Sequence, residues 1–339
     1  MKKLNGLKIP QDYCPTLSIK DTAIAIKKIK DFFEISLASA LNLTRVSAPL
    51  FVRPETGMND NLSGVEKPVN FKVKSIGGRN VEIVHSLAKW KRVALKRYGF
   101  GSGEGLYTDM NAIRKDEELD NLHSIYVDQW DWEAIIKKEE RTEDKLKSIV
   151  LKIHNVLKDT ESMIHRDYPC IPKELPEDIF FITTQELEDM YPLLTPKERE
   201  DAICKEKKAV FLSKIGGHLE SGIKHDGRAP DYDDWTLNGD ILLWYPLLET
   251  TLEISSMGIR VDEDSLISQL KESGCLEKKE LDYHKDLLSK RLPYTVGGGI
   301  GQSRLCMYFL KKAHVGEVQA SVWPDSTIDV CKSANIYLL

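Results

Sequence analysis

Residues 297–304 read Gly-Gly-Gly-Ile-Gly-Gln-Ser-Arg. Gly297, Gly299 and Gly301 alternate, so in a strand they leave one face as bare backbone. A flat ring can lie against such a face. Arg304 follows where a helix should open, and its fixed fork suits a phosphate. The pattern points to a nucleotide site, yet of neither common kind. The chain has no G-x-x-x-x-G-K-[ST] loop, and the helix after Arg304 leads to Lys311-Lys312 instead of a βαβ unit. A flexible glycine turn is the plain alternative, and the rest of the chain has to decide between them.

Bulk properties narrow the class. The chain has 339 residues, 41% hydrophobic and 30% charged, which describes a globular protein able to bury a sizeable core. A net charge of −5 gives no global basic field, so no nucleic-acid partner is expected. No apolar run approaches the roughly 20 residues of a membrane span, and no apolar leader follows Met1. Six scattered cysteines without a C-x-x-C pattern argue against zinc and a disulfide framework, and fit a reducing cytoplasm.

Periodicity predicts the elements. Ile19, Ala23, Ile26, Phe33, Leu37 and Leu41 recur at helical spacing. Residues 43–52 read as a strand interrupted by Pro49, which marks an edge or an interface. Phe71–Val73 and Val81–Val84 flank Gly77-Gly78 as a hairpin. Leu106–Ile113 and Ser124–Trp132 read as strands joined by a polar loop. The pattern changes from Glu133 to about His165, where Leu146, Ile149, Ile153, Val156, Leu157, Thr160 and Ile164 form one stripe on a charged helix, and Thr195-Pro196-Lys197-Glu198 is a helix start. Strands follow at Val210–Ile215, Asp240–Leu248 and Leu252–Ser256, with helices at Asp262–Lys271 and Leu281–Arg291. Hairpin-linked strands with helices between blocks predict an α+β fold around a mostly antiparallel sheet. One domain over residues 1–339 is expected.

Several clusters carry chemistry. Arg114-Lys115-Asp116-Glu117 opens the loop between two strands. Alternation puts Gln129, Asp131 and Glu133 on one face of the return strand, where a polar pocket would justify them. Asp240 and Glu253, on neighbouring strands and followed by Ser255-Ser256, suit a hard cation against phosphates. His85–Arg92 reads as a basic helix start. Asp60-Asn61-Leu62-Ser63-Gly64 and Asp231–Trp235 read as loops.

The order of these clusters resembles the three signature motifs of the class II aminoacyl-tRNA synthetase fold. Motif 1 covers about 19–52, motif 2 about 106–133 and motif 3 about 293–312. Within that fold, His85–Arg92, Tyr126–Glu133, Asp231–Trp235 and Leu252–Arg260 are similar to the ammonia-dependent asparagine synthetase family. With few residues before Ile19 and Lys2 after Met1, neither an anticodon-binding barrel nor a cysteine glutaminase is expected.

The resemblance implies aspartate, ATP and ammonia as substrates, Mg²⁺ as metal, and a β-aspartyl-adenylate intermediate. It implies Arg114 between the α-phosphate and the reacting carboxylate, and Arg304 on adenine and the terminal phosphates. Gly299, Gly301, Asp240, Glu253 and Ser255 or Ser256 would complete the ATP site, with Asp240 and Glu253 on the metal. Lys91 and Arg260 would grip the α-carboxylate. Asp60, Asp131 and Asp233 would serve the α-ammonium and ammonia, with Gln129 orienting. Whether Asp60 or Asp233 handles ammonia stays open. A homodimer through the motif 1 helix and strand is expected.

Three departures stand out: Asp116 and Ser303 where synthetases prefer Glu, and a very short linker after Asp234. A synthetase paralogue acting on a macromolecule and a silent binding protein are the other readings.

Overall fold

The computed structural model describes residues 1–4, 6–60 and 66–339. The loop residues Asn61 to Gly64 singled out above lie outside the described residues. A small hairpin, β1 (Lys2–Leu4) and β2 (Leu7–Ile9), precedes helix α1 (Ile19–Leu41). Ser18 caps α1 by accepting from the Asp21 N–H at 3.1 Å, and Asn42, at φ 56°, ends it in the left-handed region. Strands β3 (Leu43–Arg45) and β4 (Phe51–Val52) follow on either side of Pro49. They join different sheets, so the expected interrupted strand is two strands. The Gly77-Gly78 hairpin forms as expected from β5 (Asn70–Val73) and β6 (Arg79–Ile83), with both glycines at positive φ.

Helix α2 (Ala88–Arg97) leads to β7 (Gly105–Ile113) and β8 (Tyr126–Ile135), then α3 (Glu143–Asp167). Strand β8 runs past the expected end at Trp132. Residues 133–135 continue the strand, because β8 stays paired with its neighbour as far as Ile135. The helix begins only where Thr142 accepts from the Lys145 N–H. Next come β9 (Phe180–Thr183), α4 (Thr184–Met190), α5 (Pro196–Lys207) and β10 (Ala209–Ser213). Thr195 and Glu198 form the expected capping box at α5.

Strand β11 (Asp233–Tyr245) starts seven residues before the expected Asp240, so the short linker and the last three residues of the acidic-aromatic loop belong to a strand, while Asp231 and Tyr232 stay in the loop before it. A register shift between Asp233 and Asn238 absorbs the irregular tract. Strand β12 (Thr250–Arg260), α6 (Glu263–Glu272), α7 (Asp282–Leu288), β13 (Thr295–Gly301), α8 (Gln302–Phe309) and α9 (Asp325–Ser333) complete the order.

Eight strands make the main sheet, in the order β3-β7-β8-β13-β12-β11-β10-β9. Its pairings are antiparallel except at the two edges, β3 with β7 and β9 with β10. The expected α+β, mostly antiparallel class holds. Helices α1, α3 and α8 cover one face and share a core with it. Trp130 and Trp132 enter that core fully buried, and Phe33 of α1 stacks on Trp130 at 4.8 Å between ring centres. Alternation along β8 therefore turns Gln129, Asp131 and Glu133 to the other face, where the site lies.

The buried stripe of α1 is Thr22, Ala25, Ile29, Phe33, Leu37 and Leu41. Of the expected stripe, Phe33, Leu37 and Leu41 are buried and Ile26 is half-buried against the core, whereas Ile19 and Ala23 are exposed, so the two stripes part only at the N-terminal end. Among the described residues no helix is long and apolar enough to cross a membrane. The six cysteines are all free.

Candidate active site

Strands β8, β13, β12 and β11 form the floor of a cavity of about 450 Å³. A second cavity of about 200 Å³ adjoins it and shares Arg114, Glu117, Gln129, Glu253 and Gly299 with it. The first holds Asp60, Lys91, Asp131, Asp233 and Arg260; the second holds Gly301 and Arg304. The structure thus brings most of the sequence-selected residues into one continuous trough.

The glycine strand serves this trough in an unexpected way. A Cβ on Gly297 would lie 2.1 Å from Glu133 Oε2, and one on Gly299 would lie 2.6 Å from Gln129 Oε1 and 2.7 Å from Asp131 Oδ1. At these two positions the bare face admits side chains from β8, so it is not left for a ring. Only Gly301 keeps open space, its nearest neighbour being Arg304 Cβ at 3.6 Å.

The deep end of the first cavity is a buried charge cluster. The Arg260 guanidinium donates to both oxygens of Glu133, with Nη2 at 2.7 Å, and also pairs with Asp233. Lys91 Nζ donates to the Gly298 carbonyl at 3.1 Å and lies 3.4 Å from Asp131. Three carboxylates here face two cations, leaving one excess negative charge. Burial pushes Glu133 up, but Arg260, Lys91 and Thr295 together outweigh it and hold the carboxyl below its ordinary value. For Asp233 burial wins over Arg260, and its carboxyl is raised. Burial likewise lowers Lys91, against the pull of Asp131.

Glu133 itself is fully buried behind Arg260 and does not line the cavity. Of the three polar residues on that strand face, Gln129 and Asp131 line the site and Glu133 orients its arginine. Arg141 adds a second anchor, donating to the Arg260 carbonyl and to Asp234 at 2.8 Å.

Arg114 stands where the two cavities meet. Among the described residues its Nε is buried without a hydrogen-bond partner, and Glu117 lies 3.9 Å from its guanidinium. Arg304, third residue of α8, donates to the Glu253 carbonyl at 3.2 Å and borders the second cavity. Asp116 sits at the rim, paired with Lys115 at 2.7 Å. Ser303 is locked into the start of α8 by Asp128 and Gln319.

Asp240 is buried and ion-paired with Arg228, which stands between it and the cavity. Its Oδ1 has no hydrogen-bond partner among the described residues. Burial pushes this carboxyl up to about 8; Arg228 works against that, and the Glu253 charge adds to it. Two carboxylates that feel each other, one with an unsatisfied buried oxygen, form a donor pair suited to a hard cation. Among the described residues no group of three or more such ligands assembles. Ser256 lines the cavity, whereas Ser255 is buried outside the lining.

Three site residues escaped the sequence reading. Asn59 Oδ1 accepts from the backbone N–H of both Asp60 and His85, at 3.0 and 2.9 Å, fixing these two beside each other. Arg228 reaches Asp240 from an irregular loop, and Arg141 reaches Arg260 from the turn after β8. None lies in a periodic segment, so only their long-range partners reveal them.

A family model described as aspartate-ammonia ligase matches residues 20–335. The curated aspartate–ammonia ligase of Ruminiclostridium cellulolyticum is 68% identical over 336 residues, covering 99% of this chain and 100% of that protein. That of Clostridium tetani is 66% identical over 331 residues, covering 98% and 97%. Among solved structures, asparaginyl-tRNA synthetase from Pyrococcus horikoshii, complexed with asparaginyl-adenylate, superposes with a TM-score of 0.65 at 17% identity. It covers 90% of this chain and 70% of that one. Asparaginyl-tRNA synthetase from Entamoeba histolytica gives 0.60 at 13% identity, over 89% and 67%. These structural matches establish the fold as the class II synthetase catalytic fold.

Proposed function

The chain belongs to the aspartate–ammonia ligase family, and from that premise we propose that it converts aspartate, ATP and ammonia to asparagine, AMP and diphosphate. The β-carboxylate attacks the α-phosphorus of ATP, and ammonia then displaces AMP from the β-aspartyl adenylate. One observation carries the reading most: Arg114, whose buried Nε has no hydrogen-bond partner among the described residues, stands at the junction of the two cavities. A cation there holds two anions together as they react.

The charge cluster accounts for the orientation of aspartate. Lys91 and Arg260 grip the α-carboxylate, Arg260 through the donors that Glu133 and Asp233 leave unused. The excess negative charge among Asp131, Glu133 and Asp233 balances the α-ammonium, with Asp60 at the cavity edge and Gln129 orienting. The β-carboxylate then points toward Arg114. In the second cavity Arg304 stacks on adenine and reaches the phosphates beside Gly299 and Gly301.

Mg²⁺ fits the Asp240–Glu253 pair, with Ser256 nearby, and would neutralise phosphate charge there. Arg228 occupies Asp240 in the free protein and would yield it. We place the enzyme in the cytoplasm as one catalytic domain, paired into a homodimer through α1. The exposed Ile24 and Ile35 on that helix support the pairing.

Incubation with aspartate, ATP, Mg²⁺ and ammonium tests the function. Asparagine and AMP should appear in equal amounts, and only with ammonium. ADP in place of AMP, or no asparagine, would overturn the proposal.

A further inference from the structure

His85 is a buried imidazole on the cavity wall for which substrate binding has no use. Its Nδ1 lies 3.2 Å from the Asp60 backbone carbonyl, an acceptor only, so Nδ1 carries the hydrogen of the neutral ring. Its Nε2 is then a lone-pair acceptor, and it is buried with no hydrogen-bond partner among the described residues. Asn59 fixes the arrangement from below by accepting from the backbone of both Asp60 and His85. A buried acceptor left unsatisfied costs about 1–3 kcal/mol, so it is the kind of group a ligand proton satisfies.

The second half-reaction needs such an acceptor. Ammonium dominates over ammonia at neutral pH and has no lone pair with which to attack. We propose that His85 Nε2 is the base that takes the first proton from the incoming nitrogen; this rests on the ligase reading above.

The step balances as follows. Ammonium gives one proton to Nε2, and its nitrogen bonds to the acyl carbon. The bond from that carbon to the phosphate oxygen breaks, and the departing AMP phosphate carries off the second proton. The products are asparagine, AMP and an imidazolium, which then releases its proton to solvent.

The surroundings suit the task. Burial is the main influence that lowers His85 below its ordinary value, so the free enzyme holds it neutral at physiological pH. Asp60 and Glu66 raise it, favouring the imidazolium once formed, and Arg114 opposes them. Asp116, across the rim, also feels the His85 charge. Asp60 thus has a double part: its carbonyl sets the tautomer and its carboxylate draws in ammonium. The sequence reading left the proton-handling role between Asp60 and Asp233; the geometry moves it to the neighbouring histidine.

His85→Asn keeps an amide donor for the Asp60 carbonyl and removes the base. Hydroxylamine serves as the second nucleophile, because it is already uncharged at neutral pH and needs no prior deprotonation. The variant should lose roughly 100-fold in ammonia-dependent rate at neutral pH. Aspartate-dependent pyrophosphate–ATP exchange and β-aspartyl hydroxamate formation should persist, which also shows that the variant is folded. Its ammonia rate should climb with pH more steeply than that of the unaltered enzyme. The proposal is overturned if the ammonia rate stays within a few-fold of the unaltered enzyme. It is equally overturned if ammonia and hydroxylamine rates fall together, or if exchange is lost. Failure of the unaltered enzyme to make asparagine would instead overturn the ligase reading itself.

Discussion

Arg260 is held in place by two buried carboxylates. Glu133 grips it with both oxygens from a fully buried position, while Asp233 takes its other arm. Removing one partner of such a pair strands a buried charge. Glu133→Ala should therefore lower stability by about 3–5 kcal/mol in urea unfolding. It should also raise the KM for aspartate; unchanged stability would mean that the pair is no anchor. Arg114→Ala has a different signature. Stability should hold, while aspartate-dependent pyrophosphate exchange falls by roughly 100- to 1,000-fold, because a preorganised charge leaves the reacting phosphate. Asp60→Asn should slow the ammonia step more than adenylation; if both half-reactions are untouched, its assigned role is wrong. At this scale the sequence was most legible where alternation or a dense local string did the work, as for Gln129, Asp131, Lys91 and Arg260. Asn59, Arg141 and Arg228 act across long chain separations from irregular segments, and no local pattern carries that information.

Strand β13 shows why an element can be recognised correctly and explained wrongly. The alternating glycines announce a bare strand face, and the strand is there. Yet Glu133, Gln129 and Asp131 fill that face at Gly297 and Gly299. Which side chains lean across a strand is set by its neighbours in the sheet, and the sheet order was not legible. Gly297→Ala should cost about 1–3 kcal/mol and disturb aspartate binding, because its Cβ also meets the Trp132 carbonyl at 2.6 Å. Gly301→Ala should be tolerated in unfolding measurements. Equal losses at both positions would contradict this account. Strand β11 repeats the lesson: its first residues look like a loop because the register shift breaks alternation. Helix α1 adds a related one, since its isoleucines outside the core stripe blur the period.

Across the whole molecule, the chain ends meet in one buried cluster. Tyr13 donates to Glu317 at 2.9 Å, and the Ala313 N–H donates to the same carboxyl at 2.8 Å. Burial pushes Glu317 up to about 7, while Lys312 and these donors work against it. In the unfolded chain the group returns to the ordinary carboxyl value. Between that value and about 7 the folded state keeps a proton that the unfolded chain has released. Stability from this group therefore falls as pH rises through that window, and the penalty is complete above about 7. The unaltered protein should gain on Glu317→Gln, in urea midpoint, as pH drops from 7 toward 5. A difference that is flat with pH would contradict the assignment.

The proposed pairing through α1 also belongs to this scale. Ile35→Glu should shift sedimentation from dimer to monomer, and a monomeric unaltered protein would remove that proposal. The central claim is chemical, however: the β-carboxylate oxygen of aspartate becomes bonded to the α-phosphorus. Aspartate carrying heavy oxygen in its β-carboxylate tests this directly, with mass analysis of the nucleotide product. The account predicts one heavy oxygen in AMP for each asparagine formed. Unlabelled AMP, or label found only in inorganic phosphate, would contradict it.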